Sequence, residues 1–189
     1  LTLKGNYFEK SKGAPIEIMV HGYKGSGERD LSIGIERAFR CDRNALVIDQ
    51  RAAGHSEGNV ITFGIKESKD ILCWIDKVIE EFGQDVKIIL TGISMGAATV
   101  LITSGYDLPS NVKGVLADCG FNNAKDIIKK FIKDMKLPPN IFYPFVKLGG
   151  KFISYKSGEI EEEVATSKSA LFLLGGKITN TVKFELGES

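Results

Sequence analysis

Histidine and cysteine are scarce in this chain, and their scarcity narrows its chemistry. Only His21 and His55 occur among 189 residues, so imidazole-based proton transfer has two candidates. The three cysteines, Cys41, Cys73 and Cys119, are widely spaced. That spacing fits free thiols in a reducing compartment, and neither a disulfide framework nor a zinc site. A cytoplasmic setting and no bound metal are expected. Excess charge of one sign is also lacking. The formal net charge is +1, with Lys and Arg spread along the chain, so there is no basic footprint for nucleic acid. No apolar run approaches the ~20 residues of a membrane span. No signal peptide is visible at the start, which is Leu1 rather than Met. Internal repeats and low-complexity tracts are absent. The length suits one sizeable core and is short for two.

What is present is an alternation of apolar strands and amphipathic helices. Leu1 to Phe8 alternates loosely and reads as a strand, with Glu9–Gly13 as a turn. Ile16–Val20, Ala45–Asp49, Val86–Leu90 and Val112–Ala117 are continuous apolar strands. Asp30–Arg40 carries Leu31, Ile35, Ala38 and Phe39 at helical spacing. A longer helix, with Thr62 as its N-cap, ends near Gly83; its stripe is Ile71, Leu72, Trp74, Ile75, Val78, Ile79 and Phe82. Strict alternation with continuous apolar strands predicts an α/β fold with a mainly parallel sheet and helices on both faces. In such sheets ligands bind beyond the carboxyl ends of the strands. His21-Gly22-Tyr23, His55, Ser94 and Asp118 all follow strand ends and are predicted to share one edge.

The rhythm then changes. Ala124–Met135 is a lysine-rich amphipathic helix, Pro138-Pro139 breaks it, and Ile141–Phe152 follows with Phe142, Tyr143 and Phe145. Residues 122–158 read as a small helical cap inserted in a single domain spanning 1–189, with the aromatics expected over Ser94. Glu159–Glu163 reads as solvated surface, Ser169–Leu174 as a last strand, and Gly175–Ser189 shows little pattern.

The stretch with most chemical content is Leu90–Ala98. An apolar strand leads in, a small-residue helix from Met95 to Ser104 leads out, and G-x-S-x-G lies between. This is the pattern of a nucleophile elbow. Gly92 and Gly96 leave room for a tight turn, Ser94 Oγ stands clear of the sheet, and the Met95 N–H at a helix start can bind an oxyanion. The glycine-rich loop His21–Gly27 lacks the Gly-Lys-Ser/Thr ending of a P-loop and the G-x-G-x-x-G spacing. No cofactor is therefore expected.

Several motifs occur together in a known order. Val20-His21-Gly22-Tyr23 is similar to an HG motif after the third strand, Asp49–Gly58 to a D-x-R-x-x-G-x-S-x-G loop, Gly92–Gly96 to the elbow, and Asp118–Phe121 to the segment after the sixth strand. The chain resembles the α/β-hydrolase superfamily over Leu1–Leu174, and its bacterial serine-hydrolase branch of Bem46-like and YqkD-like proteins. The resemblance implies a serine hydrolase cleaving an ester or related acyl bond of a small-molecule substrate. Ser94 is the implied nucleophile, and the backbone N–H groups of Tyr23 and Met95 the oxyanion hole.

The rest of the triad departs from the family. Its acid belongs in a G-x-x-D loop after the seventh strand, where Gly175–Thr181 holds no carboxylate, and its histidine belongs after an eighth strand. The chain therefore reads as a hydrolase shortened at both ends. Asp118 is a candidate acid or a loop-capping residue. His21 reads as structural and His55 as a loop residue, with Asp49 bracing its loop through Arg51. Two alternatives stay open: an inactive fragment or binding protein that keeps the pocket, and an acyltransferase using the same serine. Substrate identity and oligomeric state are not legible.

Overall fold

The computed structural model describes residues 1–121, 124–146 and 181–186. The chain divides into two units, Leu1–Gly120 with Lys168–Ser189, and Phe121–Ser167. In chain order the elements are β1 (Leu3–Phe8), β2 (Ile16–Val20), α1 (Gly27–Asp30), α2 (Ser32–Arg40), β3 (Asn44–Ile48), α3 (Ile65–Phe82), β4 (Ile88–Ile93), α4 (Met95–Thr103), β5 (Val112–Asp118), α5 (Ala124–Asp134) and β6 (Thr181–Leu186).

The sheet of the first unit has the order β5-β4-β2-β3-β1-β6. Strands β2, β3, β4 and β5 are parallel, while β1 runs antiparallel to β3 and β6. β2 and β3 are buried at every residue, as apolar strands covered on both faces should be. Alternate side chains serve different helices. Ile18, Leu46, Ile48 and Leu90 pack with Ile71, Trp74, Ile75 and Val78 of α3 and Val100 of α4. Met19, Ala45 and Val47 pack with Ile35, Ala38 and Phe39 of α2.

One charge sits inside this sheet. Glu17 on β2 is fully buried, and it is held by Arg37, by Arg43 Nη1 at 3.0 Å and by the Thr91 hydroxyl at 2.6 Å. A buried carboxylate is tolerated only when paired and hydrogen-bonded in this way.

Four expectations need correction. The Asp30–Arg40 helix is interrupted at Leu31, which separates α1 from α2. The N-cap of α3 is Gly64, not Thr62, and the helix starts at Ile65, because Phe63 (φ 54°) and Gly64 (φ 106°) both take left-handed backbone. Thr62 still serves the helix start: its hydroxyl accepts the Lys66 N–H at 2.8 Å, while the Glu67 carboxylate accepts the Gly64 N–H at 2.9 Å. Phe82, the last residue of α3, is 37% exposed and leans on Tyr7 with ring centroids 4.8 Å apart. Finally, the stretch read as patternless contains β6. Its Val182, Phe184 and Leu186 alternate with Lys183 and Glu185, a period-two signal that pairs with β1. The expected strand Ser169–Leu174 and the acidic patch Glu159–Glu163 lie outside the described residues.

In the second unit, α5 is followed by a helical segment over 139–146. Lys129 joins the two, with Nζ 3.2 Å from Asn140 Oδ1 and 5.6 Å from the Tyr143 ring centroid. Among the described residues no helix is long and apolar enough to cross a membrane.

Candidate active site

Ser94 is the one residue between β4 and α4, and its backbone (φ 55°, ψ −113°) lies in a region that non-glycine residues rarely occupy. The neighbouring glycines explain how so sharp a turn fits. A Cβ on Gly92 would lie 2.1 Å from the Gly96 carbonyl oxygen, and one on Gly96 would lie 2.1 Å from that of Val20. The turn is tied down on both sides. The Ser94 N–H donates to the Asp118 carbonyl at 2.9 Å, and the Ser94 carbonyl accepts the Ala98 N–H at 3.2 Å. Met95 opens α4, so its N–H is among the amides a helix leaves without an intrahelical partner.

The loop leaving β2 meets this turn. A Cβ built on Gly22 would sit 3.4 Å from Ser94 Cβ and 3.8 Å from Ser94 Oγ. The Tyr23 ring is stacked on Phe63, centroids 5.4 Å apart, with Lys24 Nζ 5.5 Å from the Tyr23 centroid.

The two histidines are engaged differently. His21 is fully buried, with Nδ1 2.7 Å from the Gly22 carbonyl and Nε2 accepting the Gln50 N–H at 3.0 Å. Burial pushes its pKa down, against the pull of the Gly22 hydrogen bond and the Asp49 and Asp30 charges. His55 is exposed, its N–H bound to Asp49 Oδ2 at 2.8 Å. Asp49 does not brace the loop through Arg51, as expected from the sequence. It gathers the backbone N–H groups of Gly27 and His55, while Arg51 makes a paired contact of 2.7 and 2.6 Å to Asp70 on α3. The two backbone amides occupy the Asp49 carboxylate, and the Arg51 guanidinium has a carboxylate of its own in Asp70.

Asp118 ends β5 beside Ile93, with its side chain exposed. The thiol donates a hydrogen bond to that carboxylate, which together with its charge pushes the Cys119 pKa up and disfavours a thiolate nucleophile there. Among the described residues none makes a hydrogen bond to Ser94 Oγ, and no cluster of His, Cys, Asp or Glu could hold a metal ion. Two residues to which the sequence pattern assigns no role tie these loops together. Gln50 is buried, and its side chain donates to the His21 carbonyl at 2.6 Å. Thr99 is buried on α4, its hydroxyl 3.2 Å from Gln50 Oε1 and 3.0 Å from the Met95 carbonyl. The signal for both was a polar residue where packing demands an apolar one: just past a buried strand, and within a small-residue helix.

The family model described as alpha/beta hydrolase fold matches residues 18–151. The chain belongs to the alpha/beta hydrolase family. Among solved members, the esterase Pf2001 of Pyrococcus furiosus is 26% identical, with a TM-score of 0.61 over 76% of this chain and 58% of that one. GrgF, an alpha/beta hydrolase from a Penicillium species, shares the fold at 18% identity and a TM-score of 0.62, over 87% of this chain and 56% of its own. The chain thus spans little more than half the length of these hydrolases. A different, shorter likeness is to Ribosomal RNA small subunit methyltransferase G. The Clostridium kluyveri protein is 32% identical over 59 residues, 31% of this chain and 25% of that protein. The Staphylococcus aureus protein is 49% identical over 45 residues, 24% of this chain and 19% of its own length. The chain spans a quarter or less of these curated relatives, and so short a match does not establish membership of their family.

Proposed function

We propose that this hydrolase cleaves an ester or related acyl bond through an acyl-enzyme on Ser94. The observation that carries this reading is the left-handed Ser94 between β4 and α4, with the Gly22 backbone alongside its Oγ. Ser94 Oγ attacks the acyl carbon, the carbonyl electrons move onto oxygen, and the N–H groups of Tyr23 and Met95 receive the oxyanion. Collapse expels the alcohol, and water then releases the acid from the serine. Asp118, which ends β5 and accepts the Ser94 N–H through its carbonyl, is the candidate acid. The segment 122–158 is the proposed cap. The Asp49–Gly58 loop supports the Bem46-like and YqkD-like branch, and the free thiols of Cys41, Cys73 and Cys119 support a cytoplasmic setting.

A second reading is favoured by one observation: no described residue relays a proton from Ser94. On that reading the chain binds acyl compounds without turning them over quickly. A general base is worth ~10²–10⁴-fold, so on this reading p-nitrophenyl acetate should be hydrolysed slowly. The test is labelling with a fluorophosphonate probe alongside ester hydrolysis, for the chain and for Ser94→Ala. Loss of both signals in the variant supports the hydrolase. Equal signals from the two proteins would sink it.

A further inference from the structure

We propose that His21 is a positioning residue: its Nδ1–H holds the Gly22 carbonyl and so aims the Tyr23 N–H at the oxygen of a carbonyl attacked by Ser94. The inference rests on the reading of Ser94 as nucleophile and of Tyr23 as an oxyanion donor.

A trans peptide carries its C=O and N–H on opposite sides of one plane. In the Gly22–Tyr23 peptide the carbonyl accepts two hydrogen bonds, from His21 Nδ1 at 2.7 Å and from the Gly25 N–H at 3.1 Å. With the oxygen held on that side, the Tyr23 N–H is directed to the other. Sterics alone would not hold it there, because glycine at position 22 leaves the plane free to rotate. A Cβ on Gly22 would make only ordinary contact with Ser94, 3.4 Å from its Cβ, so packing does not fix the plane either. The hydrogen bonds to its carbonyl therefore decide which way the amide faces.

The donor in this contact is set by a buried chain. Gln50 N–H donates to His21 Nε2, so Nε2 is an acceptor and the ring proton resides on Nδ1. The Gln50 side chain donates to the His21 carbonyl at 2.6 Å, and its Oε1 lies 3.2 Å from the Thr99 hydroxyl. Thr99 is one helical turn beyond Met95, whose carbonyl shares the same hydroxyl proton at 3.0 Å. The ring thus links the β2 and β3 exits, and the Gln50 side chain extends the network to the first turn of α4, so that it reaches the elements carrying both proposed oxyanion amides. An imidazolium could not accept from Gln50, and burial pushes the ring's pKa down in the same sense.

Two substitutions in the whole chain separate the ring's contacts. His21→Asn keeps a donor for the Gly22 carbonyl and loses the acceptor for Gln50. His21→Gln keeps an acceptor for Gln50 and loses the donor. Loss of one oxyanion donor lowers kcat by about 10²–10³-fold. For p-nitrophenyl acetate, His21→Gln should show a drop of about that size in the Ser94-dependent kcat with KM unchanged, and His21→Asn should stay within about threefold of the parent. Ring ¹⁵N NMR of the parent should show Nδ1 protonated and Nε2 bare. Equal losses in the two variants, or a proton on Nε2, would overturn the proposal. If either variant does not fold, the ring spectrum decides alone. A rate unchanged by Ser94→Ala would instead overturn the hydrolase reading and leave the ring spectrum to judge the His21–Gly22 contact.

Discussion

The loops leaving the adjacent parallel strands β2 and β3 each carry a histidine, and they treat it in opposite ways. After β2, His21 is buried with both ring nitrogens bound to backbone. After β3, the His55 side chain is 77% exposed, its Nδ1 3.5 Å from Asp49 Oδ2. The second loop is instead organised by Asp49, whose carboxylate collects the N–H groups of Gly27 and His55. Gly54, at φ +54°, lets the chain pass so closely that a Cβ there would lie 2.1 Å from Asp49 Oδ2. One loop uses a neutral ring that both donates and accepts, which fixes the direction of a peptide. The other uses an anion that only accepts, which gathers amides and leaves the imidazole outside. In both, the polar side chain serves backbone, and neither histidine makes a hydrogen bond to Ser94 Oγ.

The comparison can be broken or sharpened by substitution. The largest effect is expected at Gly96, where a Cβ would press on the carbonyls of both Val20 and His21, at 2.1 and 2.7 Å. Gly96→Ala should destabilise by about 4 kcal/mol, because backbone on both sides has to move. Urea unfolding checks this, and a stable variant would mean that the β2 exit is looser than its contacts imply. Next comes Asp49→Ala, which leaves two backbone amides without their acceptor and should lose about 2–4 kcal/mol in the same experiment. A loss no greater than that of His55→Ala would show that the β3 loop is held by something else.

A smaller effect concerns pH. The folded pKa of His21 is lowered by burial from its ordinary 6.5, with Asp49 and Asp30 opposing the shift and Arg29 reinforcing it. Below about 6.5 the unfolded chain therefore binds a proton that the folded chain refuses, and stability falls as pH falls. This contribution is complete above that value and is lost through the range between the two pKa values. Melting temperature followed from pH 8 down to 5 should decline, with a shallower slope in His21→Asn. The smallest effect is expected for His55→Ala, within about 0.5 kcal/mol of the parent and with the same rate on p-nitrophenyl acetate. A marked fall in the Ser94-dependent rate would make His55 the base and erase the contrast between the loops.

Much of this was legible along the chain. The apolar runs locate β2 to β5 to within a few residues, the stripe from Ile71 to Val78 finds the buried face of α3, and G-x-S-x-G finds the turn at Ser94. Partner choice was not legible. Arg51 had an acidic neighbour two residues away at Asp49 and bound Asp70 on α3 instead. Thr62 marked the start of a helix that two left-handed residues postponed to Ile65.

Hydrophobic period and glycine placement are local properties. They determined the strands, the helices and the sharp turn, because burial and backbone sterics act over a few residues at a time. Which polar group meets which depends on loops from separate strands converging at one edge. His21, Gln50 and Thr99 are distant in sequence and share one hydrogen-bonded chain only because β2 lies between β3 and β4. The role of His21 was therefore decided by tertiary structure: a ring nitrogen takes whichever partner the folded backbone brings within 3 Å, and the sequence does not encode that distance.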